Sequence, residues 1–141
     1  MSTEAEPIVA DLNRLVFQVA GRLRAGFNAA AAELDLPPAQ AQVLANLCQP
    51  TPMRELAAWL SCEPSNVTGI IDGLERRGLV TRQPDRSDRR VKYVVLTESG
   101  EHRRAELRSR AQVHAETVFA LADADRSRLR NLLARVLGES T

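Results

Sequence analysis

Residues 64–97 read PSNVTGIIDGLERRGLVTRQPDRSDRRVKYVVLT, and the pattern of this stretch decides the fold. Its first part begins with proline, carries apolar residues at helical spacing and ends at Gly78. Proline suits the first turn of a helix and glycine suits a left-handed cap, so we predict a helix over 64–77. The segments 79–82 and 91–96 are then β-branched and apolar, which favours two strands. A polar, turn-rich loop joins them, and the pattern predicts a β-hairpin behind a helix.

A shorter helix precedes this unit. Residues 53–60, MRELAAWL, place apolar side chains on one face, and only residues 61–63 separate them from the helix at 64–77. A connection this short between two helices is typical of a helix-turn-helix. In proteins that read DNA, the second helix of such a pair enters the major groove. A hairpin behind it can reach the adjacent minor groove, where the negative potential favours Arg.

Helices are also predicted on the N-terminal side of this unit. Ile8 begins an apolar stripe at spacings of three and four, which predicts a long helix over 8–32. A second helix is expected over 38–48, with Pro38 in its first turn, where proline is tolerated. The prolines in 49–52 predict a break before the next helix.

Two more helices are predicted after the hairpin. Thr97 can cap a long helix over about 98–122. Asp123 or Asp125 is expected to cap a last helix, which Gly138 closes. Together these elements predict a mainly α protein with a small β-hairpin wing, in the α+β class.

The charge of the chain is concentrated in one segment. The 141 residues carry a formal net charge of +1, but residues 76–92 hold seven basic and two acidic side chains, a local net charge of +5, which leaves −4 for the rest. A single basic patch on an acidic body indicates a local contact with a polyanion. A solvated surface loop is the alternative explanation, because runs of charge usually face water.

The helix at 64–77 has a polar face that suits contact with DNA. If its apolar residues face the core, the residues that face outward are Ser65, Asn66, Thr68, Gly69 and Asp72. Hydroxyl and amide side chains can hydrogen-bond base edges or phosphates, and the methyl group of Thr68 can touch a thymine methyl. Gly69 has no side chain, so the backbone can approach DNA closely there. We therefore predict the first four of these residues as the DNA-binding residues of a recognition helix.

The sequence resembles the MarR-type winged helix-turn-helix transcriptional regulators. The most specific match is a wing pattern of Asp-x-Arg, a strand, a Leu-Thr pair and a nearby glycine, which here are Asp88-Arg89-Arg90, Val94, Leu96-Thr97 and Gly100. The other matching residues are Leu56-Ala57, 64–72, 74–80 and Arg82. The motif match covers about residues 55–100, and the flanking helices match in layout.

The resemblance implies DNA-binding roles for the wing. The residues concerned are Arg86, Asp88, Arg89 and Arg90. Arg90 is expected to reach the minor groove, positioned by an ion pair with Asp88, while the other two arginines contact phosphates. Arg77 and Arg82, near the helix end and the hairpin base, are weaker candidates that hold either the DNA backbone or only the fold.

The resemblance also implies an obligate homodimer whose terminal helices interlock. The apolar stripes at both ends fit this, because a small winged domain has too little core of its own to cover them. An intramolecular core is the alternative for part of these stripes. The predicted interface residues are Ile8, Leu12, Leu15, Leu129, Leu132, Leu133 and Val136. The chain then divides into an N-terminal dimerisation helix (1–36), a winged helix-turn-helix (37–100) and C-terminal dimerisation helices (101–141).

The predicted function is a sequence-specific transcriptional regulator that binds double-stranded DNA and acts as a repressor released by a small-molecule effector. A two-fold dimer would read a pseudo-palindromic operator with half-sites about 34–36 Å apart. An activator would use the same DNA-binding surface. A winged helix that binds protein is an alternative, although such a domain should lack a concentrated wing charge.

Members of this family often release DNA when a small aromatic ligand binds between the dimer helices and the winged unit. Phe17, Trp59 and His114 are candidate lining residues, although Trp59 is expected in the core and His114 packed on an apolar stripe. A redox-sensing regulator is a second alternative. Cys62 lies close to a helix N-terminus, where a thiolate is favoured, whereas Cys48 is expected to be buried.

No motif indicates an enzyme or a cofactor, since the chain has no phosphate-cradling glycine loop and no G-x-S-x-G. No metal site is expected, because CxxC and HExxH are absent and His102 and His114 stand about 18 Å apart along one helix. Two cysteines, an acidic N-terminus and the lack of an apolar run of membrane length favour a soluble, cytoplasmic protein.

Overall fold

The helices and strands predicted from the sequence are present in the computed structural model, which describes residues 5–60 and 64–139. In chain order the elements are α1 (Ala5–Glu33), α2 (Pro38–Asn46), β1 (Thr51–Pro52), α3 (Met53–Leu60), α4 (Pro64–Arg76), β2 (Val80–Pro84), β3 (Lys92–Leu96), α5 (Glu98–Val118) and α6 (Asp123–Val136). The helix-turn-helix pair is α3 and α4, and the wing is the hairpin of β2 and β3 with the loop 85–91. The prediction of a mainly α protein with a small hairpin wing is confirmed.

The sheet contains one strand more than the predicted hairpin. Its order is β1-β3-β2, and both pairs of strands are antiparallel. The wing pairs from Val80 opposite Leu96 onward, while β1 places Thr51 opposite Val94 on the other side of β3. The sequence predicts only a break between two helices at 49–52, and no strand, because proline has no N–H to donate to the hydrogen-bond ladder of a sheet. β1 lies at the edge of the sheet, where proline is tolerated, and its partner is far along the chain.

Several helix ends follow the predicted caps. Gly78 follows α4 with φ 73°, and Gly138 follows α6 with φ 75°, both in the left-handed region that favours glycine. The hydroxyl of Thr97 accepts a hydrogen bond from the backbone N–H of Gly100 at 3.0 Å, which caps the start of α5. These three predictions are confirmed.

Other helix ends differ from the prediction. The N-cap of α6 is Ala122, which has no capping side chain, so neither predicted aspartate is the cap. Asp123 and Asp125 lie in the first turn instead, where a negative charge complements the helix dipole. The predicted ends of α2 and α5 were too late, since α2 ends at Asn46 and α5 at Val118.

The hydrophobic core lies within the winged unit and is closed by the inner parts of α1 and α5. Its largest fully buried side chains are Leu44, Leu47, Leu56, Ile71, Leu74, Leu107, Val43, Val67, Val80 and Val94. The last residues of α1 contribute Ala30 and Ala31, which are fully buried. The first half of α1 has no such cover, since Phe17 is 72% exposed.

The C-terminal end of α1 contacts α5 through hydrogen bonds and ion pairs of Glu33. The Glu33 carboxylate accepts a hydrogen bond of 2.9 Å from Arg110, and its other oxygen lies 3.6 Å from Nε2 of His114. The Arg110 hydrogen bond, followed by the charge of Arg110 and the contact with His114, holds the pKa of Glu33 below its ordinary value. About two turns before Glu33 on α1, a Cβ on Gly26 would lie 2.8 Å from the Cβ of His114, so α1 and α5 approach closely.

Candidate nucleic-acid interface

The outer face of α4 carries the polar residues that the sequence singles out. The buried apolar side chains of α4 include Val67, Ile71 and Leu74, and the exposed residues include Asn66, Thr68 and Gly69. The backbone of Ser65 lies in the first turn, but its side chain is outside what the structure describes. A Cβ on Gly69 would meet no atom of the described residues within 4 Å, so there is open space beside the backbone at this point.

The tip of the wing is ordered by the carboxylate of Asp85. Its Oδ2 accepts a hydrogen bond of 2.6 Å from the Ser87 hydroxyl and one of 3.1 Å from the backbone N–H of Asp88. The hydrogen bond from Ser87 is the main cause that lowers the pKa of Asp85. The backbone N–H of Asp85 donates to the carbonyl of Val91 across the loop at 2.9 Å. These hydrogen bonds fix the backbone conformation of the loop 85–91.

The wing presents its arginines to solvent. Arg86, Arg89 and Arg90 are exposed, and the side chain of Arg90 is 92% exposed. The ion pair implied by the resemblance is present, since Nε of Arg90 lies 3.3 Å from Oδ1 of Asp88. Exposed cations on an ordered loop are suited to contact with phosphates and the minor groove.

The two weaker candidates of the sequence analysis both contact other parts of the protein. Arg82 on β2 pairs with Asp72 at 2.6 Å and with Glu75 at 3.0 Å, so the wing is tied to α4. Asp72, which was predicted to face outward, is half-exposed and forms an ion pair with Arg82. Arg77 donates to the carbonyl of Asp35 at 2.7 Å, which ties the end of α4 to the turn between α1 and α2. The partners of both arginines are far in sequence or on another element, so the sequence carries no signal for them.

The predicted interface residues lie on the surfaces of α1 and α6. Of the seven predicted interface residues, Leu129 is half-buried and the other six are exposed. The exposed six are Ile8, Leu12, Leu15, Leu132, Leu133 and Val136. None of the seven belongs to the buried core. Beside them, a groove of about 440 Å³ is lined mainly by α6 residues such as Leu129 and Leu133, together with Phe119 at the end of α5.

The three candidate effector contacts lie on three different helices. Phe17 on α1 is exposed, and His114 on α5 is half-buried against Gly26 and Glu33. Trp59 on α3 is 42% exposed, so the expectation that it belongs to the core was wrong. Its side chain lies on the outer face of α3, while Leu56 of the same helix fills the core.

The two cysteines differ in what the structure describes. Cys48 is exposed, so the expectation that it is buried was also wrong. The helix α2 ends before it, and its Sγ accepts a hydrogen bond of 3.0 Å from Nη2 of Arg104. Cys62, the candidate for redox sensing, lies outside the described residues.

The described residues were found to hold neither a cluster of metal ligands nor a helix suited to a membrane. Over residues 5–60 and 64–139, no three His, Cys, Asp or Glu side chains come together closely enough to hold a metal ion. Within the same residues, none of the helices has both the length and the apolar content needed to cross a bilayer.

The fold and this surface define a class of protein, the winged helix-turn-helix with a basic wing. The family model for the MarR family matches residues 36–92, which is the winged unit. This match and the similar solved structures support a MarR-type winged-helix regulator.

Similar proteins extend the match beyond the winged unit. CouR from Rhodococcus jostii, solved with bound p-coumaroyl-CoA, is 29% identical, with a TM-score of 0.71 over 93% of this chain and 94% of that chain. The apo form of MarR from E. coli is 27% identical, with a TM-score of 0.80 over 89% of this chain and 96% of that chain. BadR of Rhodopseudomonas palustris, a transcriptional activatory protein, is 39% identical over 99 residues, in a match that covers 64% of this chain. The match spans only 56% of the length of BadR.

Proposed function

We propose that this protein is a homodimeric transcriptional regulator that binds double-stranded DNA through α4 and the wing. The observation that carries the proposal is the division of α4 into a buried apolar face and an exposed polar face, next to an ordered wing with exposed arginines. Asn66 and Thr68 are suited to base edges in the major groove. Arg90 is suited to the minor groove, and Arg86 and Arg89 to phosphates.

The exposed apolar faces of α1 and α6 support the dimer. Six predicted interface residues are exposed in the single chain, and large apolar side chains exposed together on a helix face are characteristic of an interaction site. A two-fold dimer presents two recognition helices, so we expect a pseudo-palindromic operator with half-sites about 34–36 Å apart. The dimerisation segments are 1–36 and 101–141, on either side of the winged unit at 37–100.

The proposal includes repression that a small aromatic effector relieves. CouR was solved with p-coumaroyl-CoA, so an aromatic acyl-CoA thioester is the first class of ligand to test here. A reporter placed behind the operator gives the direction of regulation. Higher expression without the protein supports repression, whereas lower expression would assign activation, the activity in the name of BadR.

The test of DNA binding is fluorescence anisotropy on the DNA upstream of the gene, with scrambled DNA of the same composition as a control. Wild type is compared with Arg90→Ala and with Arg108→Ala, which removes the same charge from the exposed surface of α5. We expect specific binding that Arg90→Ala weakens and Arg108→Ala leaves unchanged. If about eight phosphates are neutralised, affinity should fall by about 10³–10⁵ between 50 and 200 mM salt. Equally weak binding to every DNA, indifferent to salt, would refute the proposal and favour a winged helix that binds protein.

A further inference from the structure

The wing and α4 meet through the side chain of Arg82. Its terminal nitrogens lie 2.6 Å from the Asp72 carboxylate and 3.0 Å from the Glu75 carboxylate. Nη2 also lies 3.4 Å from the backbone carbonyl oxygen of Thr68. These three residues of α4 are four and three positions apart, so they lie along one face of the helix. A single guanidinium on β2 is therefore held along about two turns of the recognition helix.

The position of Arg82 in the hairpin directs it toward the protein. Arg82 lies opposite Val94 in the β2–β3 ladder, and residues opposite each other in an antiparallel pair point to the same face. Val94 is fully buried, and the side chain of Arg82 is only 22% exposed. The guanidinium of Arg82 thus faces α4, whereas that of Arg90, at the tip of the same hairpin, faces solvent.

The chemistry of this contact depends on a guanidinium. Its planar fork donates to two carboxylates at once in a fixed geometry, while a lysine ammonium is a point charge on a flexible stem. The pairing also neutralises negative charge on a helix that faces phosphates in the proposed complex. An unpaired carboxylate there would oppose the binding of DNA.

We propose that Arg82 is a positioning residue that fixes the wing relative to the recognition helix, so that the two elements engage the minor and major grooves of one half-site together. The inference rests on the DNA-binding function proposed above and decides between the two roles that the sequence leaves open for Arg82. Binding of Arg90 in the minor groove is then coupled to the seating of α4 through Arg82, and Arg82 itself contacts no phosphate.

A double-mutant cycle tests this coupling. Operator affinity is measured for wild type, Arg82→Gln, Arg90→Ala and the double variant, with thermal unfolding of each variant as a check on folding. We expect Arg90→Ala to weaken binding by about 10-fold in the wild-type background and by less than about 3-fold when Arg82 is already Gln. The coupling is expected because, without the Arg82 contacts, the wing is no longer held in the orientation that places Arg90 in the minor groove.

The conservative variant Arg82→Lys separates positioning from phosphate contact. Lysine retains the charge, so a phosphate contact would survive with an affinity close to wild type. A bridge to two carboxylates would not survive, so we expect Arg82→Lys to weaken binding nearly as much as Arg82→Gln. If Arg82→Gln unfolds below the assay temperature, the cycle is run with Arg82→Lys in its place.

The outcomes distinguish this inference from the proposed function. Additive losses for the two arginines, or an Arg82→Lys variant that binds like wild type, would overturn the positioning role while wild type still prefers operator to scrambled DNA. A wild-type protein without that preference would overturn the proposed function and the inference with it.

Discussion

The Nε of Arg90 lies 3.3 Å from Oδ1 of Asp88, and the same oxygen accepts the backbone N–H of Arg90 at 3.1 Å. One carboxylate oxygen therefore holds both the main chain and the side chain of an arginine whose side chain is 92% exposed. Fixing a long side chain when it binds costs about 0.5–1.5 kcal/mol. The contact with Asp88 already restricts the Arg90 side chain in the free protein, so less conformational freedom is lost when DNA binds.

Replacing Asp88 with alanine separates positioning from net charge. The substitution removes a negative charge beside the proposed DNA contact, so simple electrostatics predicts tighter binding. We expect the opposite, a loss of about 5–30-fold in operator affinity, because Arg90 loses its orientation. Anisotropy at fixed salt measures this, and Glu106→Ala, which removes an exposed carboxylate from α5, is the control. Binding that tightens in Asp88→Ala would show that Asp88 does not position Arg90.

The apolar faces of α1 and α6 lead to a prediction about assembly. Leu133 is 41% exposed and lines the groove on α6. Leu133→Glu places an unpaired carboxylate in the proposed interface, which should raise the dimer dissociation constant by about 100-fold or more. Analytical ultracentrifugation measures the change. Ser127→Glu, on the opposite face of the same helix, should leave the dimer intact, and a Leu133→Glu variant that remains as dimeric as this control would contradict the assignment.

The sequence predicted best those features that depend on neighbouring residues. The spacing of Val67, Ile71 and Leu74 predicts which side of α4 is buried, because a helix has one period along its whole length. The left-handed cap at Gly78 is equally local, since it depends on the lack of a Cβ at one position. Polar residues outside the apolar spacing are then exposed by exclusion, as Asn66 is.

Features that depend on distant contacts could not be predicted. The strand β1 exists because Thr51 finds Val94 at the edge of β3, a partner that nothing at 49–52 identifies. The bridge from Arg82 to Asp72 joins a strand to a helix, and a charge count treats both simply as charges. Trp59 is exposed although tryptophan is usually well buried, because burial is decided by tertiary placement.

The contact between Glu33 and Arg110 makes a prediction about pH. The pKa of Glu33 in the folded protein lies below its ordinary value of 4.5, so the contact stabilises the fold above the ordinary value and loses this effect as the pH falls through the lowered pKa. Glu33→Gln should therefore lower Tm slightly at pH 7 and have no effect well below the lowered pKa. The pair is exposed, so salt should reduce the difference.

Thermal unfolding is compared at pH 7, where the Glu33 carboxylate is ionised, and at the lowest pH at which the protein stays folded, where it is more protonated. Glu106→Gln, an exposed glutamate on α5, is the matched control and should show no such pH dependence. A Tm difference between wild type and Glu33→Gln that is the same at both pH values would rule out the ion pair as its cause.

The close approach at Gly100 predicts a large loss of stability. A Cβ at this position would overlap the backbone carbonyl oxygen of Leu79 and lie 3.1 Å from Cδ2 of Leu96. Backbone cannot move aside as the end of a side chain can, so Gly100→Ala should lower the free energy of unfolding by about 1–3 kcal/mol or more. Chemical denaturation of Gly100→Ala and wild type measures it. Equal stability of the two would mean that α5 is not held against the wing as closely as described.

The same substitution at Gly69 should separate stability from DNA binding. A Cβ there meets no protein atom within 4 Å. Alanine in the interior of a helix is more stable than glycine by about 0.5–1 kcal/mol, so Tm should rise. If DNA approaches the backbone at this point, the added methyl group should weaken operator binding, by about 5–30-fold for a loss of one or two kcal/mol. Gly21→Ala, in an equally open position on α1, should raise Tm without changing the affinity for DNA. A Gly69→Ala variant that is more stable and binds the operator as wild type does would place the DNA away from this part of α4.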